Sequence, residues 1–104
     1  SNPKKTADGG WDGHATFAMG KKRELVLIEV KSGSVNVKNL REFMHVVNAQ
    51  RAAMGVFVCF EEHVTAPMER EAAQQGYYTP EIGTVGQYAT QFPKIQILQN
   101  GTTK

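Results

Sequence analysis

Leu25-Val26-Leu27-Ile28 is an unbroken apolar run, long enough for one strand and too short for a typical helix. With the residues around it, it predicts a strand over 24–31. Side chains in a strand alternate between faces, so Glu29 and Lys31 point one way and Ile28 and Val30 the other. Trp11 to Met19 reads as an earlier strand, and the polar Gly20-Lys21-Lys22-Arg23 between the two predicts a β-hairpin. Ser32-Gly33-Ser34 breaks the pattern. Leu40, Phe43, Met44, Val47 and Ala53 then recur at helical spacing, giving a helix over about 37–53, capped by Asn36 and ended by Gly55. Val56 to Phe60 shows no polar alternation, as in a strand buried on both faces of a parallel sheet. Thr65 caps a second helix over about 66–76, with Pro67 in its first turn and Gly76 as its stop. Residues 77–93 read as irregular, broken by Pro80, Gly83, Gly86 and Pro93, and Lys94 to Leu98 as a last strand. The order ββαβαβ predicts an α/β fold, a mixed central sheet with helices packed on its faces.

The chain of 104 residues is read as one domain, 1–104, with residues 1–10 and 100–104 flexible. Apolar content of 40% and charged content of 21% fit a soluble globular class. No apolar run approaches the roughly 18 residues of a membrane span, and the polar, basic N-terminus is unlike a signal peptide. One cysteine, Cys59, excludes an internal disulfide framework and a cysteine-based zinc cluster, so a reducing cytoplasm is expected. Net charge is +2, and residues 1–31 carry all of the excess, with six Lys/Arg against four acids. Residues 32–104 carry six of each.

That N-terminal third also holds the candidate chemistry. Asp8-Gly9-Gly10-Trp11-Asp12-Gly13 lies one hairpin arm from Glu29-Val30-Lys31. Phosphodiester hydrolysis needs a cation at the phosphate, an activated water and a stabilised leaving oxygen. Magnesium held by a few carboxylates supplies most of this, with manganese as a substitute. Asp12 and Glu29 offer hard oxygen ligands, and the carbonyl of Val30 offers another. Lys31 is placed to orient the water and stabilise developing negative charge.

The stretches 4–13, Ile28 to Lys31, Met54 to Val58, Pro67 to Ala72 and Pro93 to Leu98 together resemble the PD-(D/E)xK nuclease superfamily. More narrowly they resemble the restriction-endonuclease-like, Mrr-type domains often appended to bacterial DNA methyltransferases. The resemblance runs from about Lys4 to Leu98. It implies that Asp12 is the first metal-binding acid, Glu29 the acidic position of the motif and Lys31 its lysine. It also implies a helix ahead of the Asp-bearing strand, and the chain begins too late to hold it.

Plainer readings stand beside these. Glu29 and Lys31 by themselves fit a solvated or paired strand end, Asp8 a turn and Trp11 packing. His14 is a weaker phosphate contact. His45 and His63 read as structural or solvent-facing. Lys4, Lys5, Lys21, Lys22 and Arg23 suit phosphate contacts, with Gln50 and Arg51 at the close of the first helix. The expectation is a magnesium-dependent endonuclease domain acting on DNA in a restriction-modification setting, partnered or fused to a methyltransferase. The alternative is an inactive nuclease-fold module for DNA binding or dimerisation.

Overall fold

The structure, a computed structural model, describes residues 10–80 and 90–101. The strands are β1 (Gly13–Met19), β2 (Lys22–Val30), β3 (Met54–Phe60), β4 (Tyr77–Tyr78), β5 (Phe92–Pro93) and β6 (Ile95–Asn100), and the helices α1 (Val37–Ala49) and α2 (Ala66–Gln74). Four strands form a mixed sheet in the order β1-β2-β3-β6. β1 runs antiparallel to β2, while β2, β3 and β6 are mutually parallel. Met19 pairs with Lys22, so the hairpin closes on Gly20-Lys21. Gly20 takes φ +61, which the first position of a tight two-residue hairpin turn requires.

The helices begin where expected. Asn36 accepts from the N–H of Asn39 while the Asn39 side chain accepts from the N–H of Asn36, a reciprocal cap. Thr65 accepts from Met68 N. α1 ends earlier than the expected residue 53. Arg51 turns left-handed at φ 55, and the N–H groups of Arg51 and Ala52 donate back to Asn48 and Val47. Gly55 is not the stop. It lies inside β3, where a Cβ would stand 2.5 Å from Val47 Cγ2 and 3.0 Å from Phe43 Cε2, so its missing side chain lets α1 sit directly on the sheet. Gly76, at φ +80, does end α2.

Both helices cover one face. Two crossovers of the same hand, β2-α1-β3 and β3-α2-β6, step the same way across the sheet and so deliver their helices to the same side. Leu27, Phe57 and Cys59 from the strands meet Leu40, Phe43, Val47 and Met68 from the helices, all fully enclosed. Each large side chain among them contributes about 1.5–3 kcal/mol by burial. Burial raises the Cys59 thiol pKa.

β3 therefore departs from the expected two-sided burial. Gly55, Phe57 and Cys59 are buried, while Met54, Val56, Val58 and Phe60 are only half-buried. The irregular stretch also contains structure: Tyr77 and Tyr78 pair antiparallel with Pro93 and Phe92, and Tyr78 meets Phe17 edge-on at 6.1 Å. β6 runs on to Asn100, which pairs with Phe60, so the tail expected to be loose begins one residue later at the earliest. Among the described residues, no helix is long and apolar enough to cross a membrane.

Candidate functional site

Trp11 enters the core, 4% exposed, and anchors the chain just ahead of β1. Asp12 follows at the surface. Its N–H donates to Ile28 O at 2.7 Å, and its Oδ2 accepts from Val30 N at 2.7 Å. Successive N–H groups of a strand point to opposite edges. Lys31 N donates to Val58 O on the β3 side, so Val30 N points toward β1. β1 begins only at Gly13, and the Asp12 carboxylate supplies the acceptor that a longer strand would have offered. The bond is charge-assisted and short.

Glu29 is on the helix-covered face, 8% exposed, the one buried charged residue among those described. Lys31 Nζ stands 4.0 Å from Glu29 Oε2, with the lysine side chain 39% exposed. Both line a cavity of about 600 Å³ beside α1, together with Asn39, Glu42, His45 and Gln50. Phe43 and Val46 form part of its apolar wall.

The structure thus gathers Glu29, Lys31 and Gln50 at one cavity. Asp12 is not among the residues that line it. Val30 is 50% exposed, and it too is outside the cavity lining. His14 is exposed on β1 opposite Leu27. Lys21, Lys22 and Arg23 are exposed at the hairpin tip, where Arg23 donates to Thr16 Oγ1 at 2.8 Å. Lys22 opens β2 and Glu29 stands next to its end, roughly 23 Å away at the rise of an extended strand. Lys21, Lys22 and Arg23 therefore stand at the opposite end of the hairpin from Asp12 and Glu29. Arg51 is exposed at the close of α1. Lys4, Lys5 and Asp8 lie outside the described residues.

Asn39, Glu42 and His45 were missed as site residues. Their spacing of three along α1 places them on one helical stripe next to Gln50, a signal present in the sequence once the helix is accepted. His63 is half-buried with its ring 6.3 Å from Phe60, and its Nδ1 is enclosed without a hydrogen-bond partner. Among the described residues no group of three or more His, Cys, Asp or Glu side chains converges to hold a metal ion. Magnesium is held by one or two carboxylates with its own waters. Of the two acids expected to share it, Asp12 accepts the Val30 N–H through Oδ2 and Glu29 lines the cavity.

A mixed four-stranded sheet flanked by helices, with Asp12 at the mouth of the hairpin and Glu29 and Lys31 at the end of β2, defines a restriction-endonuclease-like fold. Residues 1–86 match the family described as NACHT-associated inactive Restriction Endonuclease 1, and the chain belongs to that family. No curated protein and no solved structure matches it. The family is described as inactive, which overturns the expectation of a working magnesium-dependent deoxyribonuclease.

Proposed function

We propose that this chain is a non-cleaving nuclease-fold module that holds DNA by its phosphate backbone. The observation that carries the reading is the match to a family described as inactive; in the motif itself, Lys31 and Glu29 face a cavity and Asp12 accepts the Val30 N–H. The fold keeps the form of a nuclease, and the family's description as inactive supports a role without cleavage. The exposed Lys21, Lys22 and Arg23 at the hairpin tip supply phosphate contacts, in the third of the sequence that carries the whole charge excess. Neither magnesium nor manganese is needed for such holding. Following the family's description, the neighbour proposed for this module is NACHT rather than a DNA methyltransferase.

The test is fluorescence anisotropy of a labelled duplex, with and without magnesium, over a salt series. Three phosphate contacts predict a log–log salt slope of about −2.7. Replacing Lys21, Lys22 and Arg23 by Ala should flatten the slope and weaken binding, and the duplex should be recovered intact in every sample. Binding that the triple variant leaves unchanged, or no binding at low salt, would defeat the proposal.

A further inference from the structure

The end of the sheet at which its parallel strands begin carries an inference about the form of DNA held, and it rests on the reading above that the chain holds DNA. β2, β3 and β6 run the same way, so whatever precedes each of them is delivered to one end of the sheet. Lys21, Lys22 and Arg23 stand at the start of β2, Arg51 ahead of β3 and Lys94 immediately ahead of β6. Ala53 N donates to Leu25 O at 2.8 Å, which holds the turn after Arg51 beside the first residues of β2. The ion pairs among the described residues, Lys31 with Glu29 and Arg41 with Glu71, involve none of these cations. Glu24, half-buried opposite Phe17, is the acid in their midst. The far ends of the strands carry Glu29, Glu61 and Glu62 instead.

Aromatic rings adjoin this basic end. Met19 pairs with Lys22 and Phe17 with Glu24, so Phe17 and Lys22 share a face of the hairpin. Tyr78 packs edge-on against Phe17, and Phe92 pairs with Tyr78. Lys94 N donates to Gly76 O at 2.9 Å, which ties the β4–β5 ribbon to the start of β6. The ribbon thus reaches from the start of β6 to β1, across the end where the cations collect. Phe92 is 40% exposed, and Tyr77, on the other side of the ribbon, is 65% exposed. A single exposed ring is ordinary. Two on one short ribbon, beside cations that pair with no acid, match what an unpaired nucleic-acid strand requires. We propose that this end binds an unpaired strand of DNA, the cations holding its phosphates while Tyr77 and Phe92 stack on its bases. In a duplex the faces of each base are already covered by its neighbours, so the rings gain nothing there. An unpaired strand offers phosphates and bare base faces together. Every base has such a face, so the site tolerates any sequence.

Fluorescence anisotropy tests this with labelled oligothymidylate, an abasic strand and a mixed-sequence duplex, each of about 12 nucleotides. The proteins are the wild type, the double variant Tyr77→Leu with Phe92→Leu, and Tyr77→Trp, with thermal melting of each. The wild type should bind oligothymidylate about ten-fold or more tighter than the abasic strand, which keeps the phosphates and has no bases. The double variant should lose that advantage while its salt slope stays that of the wild type, because no phosphate contact is removed. Tyr77→Trp should bind oligothymidylate at least as tightly as the wild type. Its added fluorescence should be quenched on binding, against the constant background of the buried Trp11. Equal affinity of the wild type for oligothymidylate and the abasic strand overturns the proposal, and so does a double variant that binds oligothymidylate unchanged. In both cases a duplex that is still held leaves the DNA reading standing. Binding to none of the three removes both, and the exposed rings then belong to a protein contact. Should the double variant melt early, the tryptophan decides: fluorescence that oligothymidylate leaves unquenched overturns the proposal.

Discussion

Asp12 shows how a motif residue also serves the fold. Its carboxylate accepts the Val30 N–H at 2.7 Å, a bond that needs an oxygen acceptor there and no metal. Asp12→Asn retains an acceptor and should cost under about 0.5 kcal/mol, whereas Asp12→Ala should cost about 1 kcal/mol, or roughly 4–8 °C in melting temperature. Equal losses in the two variants, measured by thermal unfolding, would remove the side-chain oxygen from its assigned role. At this scale the sequence was legible where alternation alone decides. Glu29 and Lys31 do share a face, because a strand has period two. The partner of Asp12 was not legible, since it depends on the register in which β1 meets β2. Nor was the left-handed Arg51, because such a conformation is ordinarily marked by glycine and here is not.

Elements were legible wherever side-chain periodicity spoke and illegible wherever glycine did. The apolar positions Leu40, Phe43, Met44 and Val47 are the buried stripe of α1. Gly55, three residues after Ala52, has the same local signature whether it ends a helix or lets one approach. Only the packing of α1 on β3 separates the two. Gly55→Ala should therefore destabilise by about 1–3 kcal/mol, since its Cβ would meet Val47 and Phe43 in a closed core. Gly33→Ala is the control: a Cβ there meets nothing within 4 Å, and the change should be close to neutral. Urea unfolding of the two variants checks the pair. A harmless alanine at position 55 would mean that α1 can lift away from the sheet, and that the helix was not pinned by this contact.

At the scale of the whole molecule, the one-sided layer of helices decides how the protein responds to acid. The strand order was out of reach of periodicity, and so was the placing of both helices on one face. The half-buried Val56 and Val58 of the opposite face looked in the sequence like residues of a fully covered strand. With a single helical layer, α1 and α2 must be held to each other as well as to the sheet. Arg41 makes that tie, donating from Nε and Nη2 to both carboxylate oxygens of Glu71 at 2.7 and 2.5 Å. The paired guanidinium holds the Glu71 carboxyl below its usual range, chiefly through these hydrogen bonds. A carboxyl with a depressed folded-state pKa stabilises the fold in full above its unfolded value, near 4.5, and that stabilisation is lost as pH falls through the folded value. Arg41 stays protonated across this range, so it adds no pH dependence of its own. Glu71→Gln should therefore melt below the wild type at pH 7, and the difference between them should shrink steadily below about pH 4.5. The exposed position of the pair keeps the effect small and salt-sensitive. Melting curves of both proteins from pH 7 down to the acid transition test this. A gap that persists undiminished at low pH would show that glutamine harms the fold by something other than loss of the ion pair, and the tie between the helices would have to be sought elsewhere in their contact.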